Sequence, residues 1–148
     1  MKITKRFQWI MGHRLAFHKG KCFTRHGHNY EMKVTIEGFP DENGMLMDFG
    51  DLKTLFQELV YIPFDHCFMI YHSDPLCERI LQDQVFLLDK TGKQEKTNIV
   101  PFETTVENLS KFFFGLFAKE INKEGGRYKV TRVKVYETPT SEAIYYGD

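Results

Sequence analysis

The stretch from His26 to Glu37 constrains the fold more than any other part of the chain. His26-Gly27-His28 runs without a break into Asn29-Tyr30-Glu31-Met32-Lys33-Val34-Thr35-Ile36-Glu37, where polar and apolar side chains alternate. Alternation of period two marks a strand with one packed face and one wet face. Residues i and i+2 of a strand share a face, so His26 and His28 present both imidazoles on one side. His13 ends an earlier strand-like stretch, and a hairpin through Lys19-Gly20-Lys21-Cys22 would bring it alongside. Three neutral imidazoles with no obvious fourth protein ligand describe a catalytic zinc site with one position left open. The alternative is a set of structural or surface histidines that happen to be near in sequence.

Cys22 lies four residues before the His-x-His pair and is flanked by Lys21 and Arg25. Nearby cations favour the thiolate, while a free cysteine also commonly serves as a small buried hydrophobe. Cys67 and Cys77 sit in apolar company and read as packing residues. His18 and His72 belong to no comparable constellation and read as solvated. Asp65-His66 could pair a carboxylate with an imidazole able to exchange a proton with a thiol, should the dipeptide meet Cys22 in space. Glu137 ends a β-prone stretch just before Thr138-Pro139. It is either a solvated strand-end carboxylate or a buried acceptor for a ligand's paired N–H donors, and spacing does not separate the two.

A chain of 148 residues with 42% hydrophobic and 27% charged content is expected to form one domain over residues 1–148. Twenty basic and twenty acidic residues cancel, which argues against nucleic acid or an acidic membrane as the main partner. No stretch approaches the roughly 20 apolar residues of a membrane span, and Met1 to Arg6 carries no apolar run of the signal-peptide kind. Three sparse cysteines fit a reducing cytoplasm.

Residues 2–10 and 28–38 read as the first two strands. Asp48 is a candidate N-cap for a helix whose apolar face is Phe49, Leu52, Leu55, Phe56, Leu59 and Val60, with Pro63 ending it. Ser73-Asp74-Pro75 opens a short helix through Leu81. The runs 85–88 and 97–100 flank a polar stretch and suggest a hairpin. Thr104 and Glu107 form a capping-box pattern for a second major helix carrying Val106, Leu109, Phe112, Phe113, Leu116 and Phe117. Residues 128–137 and 143–146 complete the strands. The order ββααββ predicts an α+β domain, with a four-stranded antiparallel sheet, two helices on one face, and an inserted hairpin.

Several groups of residues occur together in one order: His13-Arg14-Leu15, Lys21-Cys22, His26-Gly27-His28-Asn29-Tyr30, Gly44-Met45 with Asp48-Phe49 and Leu52-Lys53, Asp65-His66, Thr105-x-Glu107-Asn108, and Val135-Tyr136-Glu137-Thr138. This joint pattern spans almost the whole chain and resembles the 6-pyruvoyltetrahydropterin synthase family. The three residues between Cys22 and His26, and the ending from Glu137 to Gly147, look like its bacterial 6-carboxy-5,6,7,8-tetrahydropterin synthases. The resemblance implies a tunnelling fold, a homohexamer built from two trimers, and sites at subunit junctions. It implies His13, His26 and His28 as ligands of Zn2+, Cys22 as the general base, Asp65 and His66 as its relay partners, and Glu137 as the pterin anchor, with Thr105 and Glu107 also on the substrate. The implied reaction converts 7,8-dihydroneopterin triphosphate to 6-carboxytetrahydropterin, releasing acetaldehyde and triphosphate, on the route to queuosine.

Other readings compatible with the residues are the pyruvoyl-forming lyase on the same scaffold, a folate-pathway side-chain lyase, and a non-catalytic zinc-binding assembly module. Lys19, Lys21, Arg14 and Arg25 are the candidate triphosphate contacts. The chain departs from the family pattern at Met11-Gly12, at Phe68-Met69-Ile70, at Thr104 (where proline is common), and in a longer segment 71–103.

Overall fold

A computed structural model describes residues 1–123 and 125–148. The alternating stretch forms strand β2 (His26–Gly38), antiparallel to β1 (Lys2–His13) in unbroken register, from Lys2 opposite Glu37 to His13 opposite His26. The even-numbered residues Tyr30, Met32, Val34 and Ile36 of β2 and the odd-numbered Phe7, Trp9, Met11 and His13 of β1 are buried together. A one-residue slip would turn this whole set to solvent, so the hydrophobic pattern itself fixes which histidines meet.

The remaining strands are β3 (Cys67–Tyr71), β4 (Thr97–Val100), β5 (Tyr128–Thr138) and β6 (Ser141–Tyr145), giving one sheet of order β4-β3-β1-β2-β5-β6. β2, β5 and β6 pair antiparallel, whereas β3 runs parallel to both β1 and β4. The sheet is therefore six-stranded and mixed, not four-stranded and antiparallel. The two extra strands are short. β3 is an uninterrupted apolar run, which periodicity alone cannot tell from a piece of helix.

Asp48 caps α1 (Phe49–Phe56), its side chain accepting from the Gly50 N–H at 2.6 Å. The helix does not stop at Val60. It widens into a π turn, Gln57–Tyr61, and ends in α2 (Ile62–Phe64), with Pro63 inside this last turn. A proline clashes with the carbonyl four residues back, and the widened turn is one of the ways a helix absorbs such a residue. Thr105, not Thr104, caps α4 (Val106–Ile121) by accepting from the Asn108 N–H. Leu52, Phe56, Val60 and Phe64 from the first helical run join Leu109, Phe113, Phe117 and Ile121 of α4 in one core against β1, β2 and β5. Each such side chain contributes about 1.5–3 kcal/mol through burial. Both major helices thus share one face of the sheet, as the pattern predicts.

The expected hairpin of 85–88 with 97–100 is absent. Residues 85–88 belong to α3 (Cys77–Thr91), and β4 pairs with β3 instead. Gly92 ends α3 in the left-handed conformation (φ 68°), its N–H donating to the Leu88 carbonyl. That glycine marks a helix C-terminus, not a hairpin turn. Phe68 and Ile70 pack on Cys77 and Ile80 of α3, while Cys67 and Met69 face the main core. Neighbouring strand residues point to opposite faces, so α3 covers the side of β3 away from the major helices.

Candidate metal centre and active site

His13 and His26 are paired across the β1–β2 ladder, and His28 follows on the same face. The ring centroids lie 4.6, 5.3 and 4.9 Å apart, and one nitrogen from each ring falls within 4.8 Å of the others. The Nε2 atoms of all three are buried and make no hydrogen bond. Bare buried nitrogens are costly unless something else satisfies them.

The opposite ring nitrogens explain why these atoms are bare. His13 Nδ1 lies 2.9 Å from the Thr104 carbonyl, and His26 Nδ1 lies 2.7 Å from the Thr24 carbonyl. A carbonyl can only accept, so both Nδ1 atoms carry the proton and both Nε2 atoms present lone pairs. Burial, reinforced by its two histidine neighbours, lowers the His13 pKa to about 4 against the pull of the Thr104 carbonyl. His28 is shifted the same way, first by burial and then by His26. Three imidazoles with orphaned Nε2 atoms, two of them held from behind by carbonyls, are the donor set that a three-histidine metal site with an open fourth position needs. Tyr30, fully buried, lies beneath them with its ring 5.5 Å from His28 and 6.2 Å from His13, stacked on Trp9 at 5.2 Å.

Glu137 lies beside the histidine cluster. Its Oε1 lies 3.3 Å from His28 Nε2, out of line for a hydrogen bond, and its side chain is only 19% exposed. Burial raises its pKa; the neighbouring Glu107 adds to that rise and His26 opposes it. Glu107 itself is exposed, and Thr105 is half-buried as the cap of α4. A cleft of about 680 Å³ is lined by His28, Glu137 and Thr138 together with Arg6, Glu31 and Tyr136.

Cys22 is half-buried in a 3₁₀ turn, Lys21–Phe23, between the two histidine-bearing strands. The Leu15 N–H donates to the Cys22 carbonyl at 2.8 Å, which ties this turn to the end of β1. The thiol is not among the atoms that converge with the three imidazoles. Cys67 and Cys77 are buried, and His18 and His72 exposed, as their surroundings suggest.

Asp65 and His66 form a pair at 2.6 Å, with the Ile10 N–H donating to the other Asp65 oxygen at 2.9 Å. Partial burial raises the Asp65 pKa, and the Ile10 N–H with the His66 imidazole outweighs it, so the carboxyl stays below its usual range. His66 has positive φ (57°) and a side chain 72% exposed. No hydrogen bond or ion pair among the described residues joins this dyad to Cys22 or to the three histidines of the same chain.

Arg14 is not available to a phosphate. It is buried and paired with Asp74 at 2.7 Å, its guanidinium 4.6 Å over the Phe23 ring. Lys19, Lys21 and Arg25 remain exposed. Sequence reasoning assigned no site role to Thr104, which contacts His13, or to Asp74, which fixes Arg14. Thr104 carried one signal, as a threonine where the family pattern favours proline; Asp74, read as a helix opener, carried none.

The family model described as 6-pyruvoyl tetrahydropterin synthase matches residues 2–148. A protein of Haemophilus influenzae named 6-carboxy-5,6,7,8-tetrahydropterin synthase is 37% identical over 148 residues, covering 97% of each chain. One of the same name from Aquifex aeolicus is 32% identical and covers 97% of this chain and 96% of its own. Two solved structures share the fold. An uncharacterized Wolinella succinogenes protein has TM-score 0.84 at 24% identity, covering 100% of this chain and 98% of its own. The Caenorhabditis elegans 6-pyruvoyl tetrahydropterin synthase has TM-score 0.68 at 22% identity, covering 100% and 96%.

Proposed function

The chain belongs to the 6-pyruvoyl tetrahydropterin synthase family, and from that premise we propose that it is a zinc-dependent lyase converting 7,8-dihydroneopterin triphosphate to 6-carboxy-5,6,7,8-tetrahydropterin, with release of acetaldehyde and triphosphate. One observation carries this reading: three histidine rings converge, each with a buried Nε2 that has no hydrogen-bond partner among the described residues. The relatives' names support the carboxy-forming reaction over the pyruvoyl-forming one. In this reading the protein acts in the cytoplasm, on the route to queuosine.

His13, His26 and His28 hold the ion, which when bound supplies Lewis acidity to the oxygens of the substrate side chain. Glu137 accepts from the amino group and adjacent ring N–H of the pterin, a two-point contact that rejects rings lacking those donors. Thr105 and Glu107 are assigned to the substrate in the same reading, Glu107 being close enough to Glu137 to raise its pKa. Cys22 would act as the base that removes a proton from a carbon of the substrate side chain. His66, oriented by Asp65, returns a proton on the other side.

His66 is exposed, no hydrogen bond or ion pair among the described residues joins the Asp65–His66 dyad to its own chain's histidine cluster, and strands β4 and β6 form the two edges of the sheet. These features support a homohexamer in which the dyad of one subunit serves the site of another. Incubating the zinc-loaded protein with dihydroneopterin triphosphate tests the proposal. Acetaldehyde and a product of the 6-carboxy mass are expected. Triphosphate released without acetaldehyde would assign the pyruvoyl-type reaction instead, glycolaldehyde a side-chain lyase, and an unchanged substrate a non-catalytic zinc module.

A further inference from the structure

The Thr104 side chain stands in an unusual place. It is fully buried, and its Oγ1 lies 3.1 Å from His13 Nδ1, beside the 2.9 Å contact from its own carbonyl. The same hydroxyl donates its proton to the Arg14 carbonyl at 3.3 Å. A hydroxyl has a single proton, so with that proton committed it offers His13 only a lone pair. Nδ1 is then the donor to both oxygens of Thr104, and Nε2 is left bare.

The hydroxyl also closes a small ring between the His13 side chain and the backbone of the next residue. That backbone is itself held, because Arg14 is locked by Asp74 and Phe23. One of the three imidazoles thereby meets two acceptors from one residue. His26 has a single carbonyl partner for its Nδ1.

We infer that the Thr104 hydroxyl is a positioning group for His13, orienting its imidazole so that Nε2 meets the metal without loss of ring freedom. This rests on the metal-centre reading above. Groups that orient a ligating histidine from behind are commonly worth about 10–100-fold in metal affinity. Thr104→Val keeps the carbonyl and the volume and removes the hydroxyl.

The test is a Zn2+ titration of the metal-free protein against a chromophoric competing chelator, with thermal unfolding of the same samples. Thr104→Val is expected to weaken Zn2+ binding by about tenfold or more, and Thr104→Ser to restore it to within a few-fold of wild type. Should Thr104→Val fail to fold, Thr104→Ala against Thr104→Ser isolates the hydroxyl equally well. Equal affinity in hydroxyl-bearing and hydroxyl-free variants would overturn the inference while leaving the metal centre intact. A wild-type protein that takes up no Zn2+ would instead defeat the metal-centre reading, and this inference with it.

Discussion

The β1–β2 ladder and the segment from Asp65 to Thr104 lie side by side in the sheet and are built on different terms. In the ladder every inward side chain from Phe7 to His13 and from Tyr30 to Ile36 is buried, and the register is continuous over twelve residue pairs. In the neighbouring segment, α3 buries only Cys77, Ile80 and Gln84 and leaves Val85 71% and Phe86 60% exposed. Close packing holds atoms to tight tolerances, whereas a sparsely packed helix opens locally at little cost. The candidate metal ligands, which need fixed geometry, sit on the first region. The proposed proton-relay dyad lies outside the ladder, just before β3, with Asp65 largely buried and His66 in solvent. In the proposed mechanism, metal binding is thus a property of one chain and proton transfer a property of the assembly.

Cys22 lies on the turn that joins the two ladder strands, and replacing it tests the first half of that contrast hardest. Loss of a positioned general base costs about 10²–10⁴ in turnover. Cys22→Ala is therefore expected to lose that much activity while retaining its zinc, measured by metal content alongside acetaldehyde release. If zinc departs with the thiol, Cys22 is a fourth ligand and the open coordination position disappears.

Asp74 tests the fastening between the two regions. Its ion pair with Arg14 is buried on both sides, and removing one partner strands a charge in the interior. Asp74→Ala should cost about 3–5 kcal/mol in urea unfolding, and the double change Arg14→Met with Asp74→Leu should recover most of it. A cost below about 1 kcal/mol would mean that water reaches Arg14 once its partner is gone, and that α3 is fastened elsewhere.

The contrast also explains what the sequence could tell. The ladder was legible because alternation, the His-x-His spacing and helix periodicity all act over neighbouring residues, and they led to the same face. The α+β class, the two major helices and the histidine cluster follow from that. β3 and β4 were not legible in the same way. Their pairing is parallel and long-range, and Phe68 and Ile70 face one side while Cys67 and Met69 face the other, so no alternation appears. Residues 85–88 misled because a β-prone apolar run lies on the exposed side of a helix, where local propensity and tertiary context disagree. Thr104 shows the same limit at the site: Thr105 makes the cap, and Thr104 turns inward to His13, a contact spanning 91 residues.

The smallest expected effect sharpens the comparison from the other side. Val85 and Phe86 touch little within the chain, so the double change Val85→Ser with Phe86→Ser should alter unfolding free energy by no more than about 0.5 kcal/mol per site. Serine is close to both residues in helix propensity, which removes the main competing term. Amide hydrogen exchange on the same protein should find α3 opening at lower free energy than β1 and β2, because few buried contacts hold it. A loss near the 3–5 kcal/mol typical of a truncated core phenylalanine would show that α3 is packed against something these exposures do not reveal. The division between a rigid, metal-binding ladder and a loosely attached outer segment would then fail.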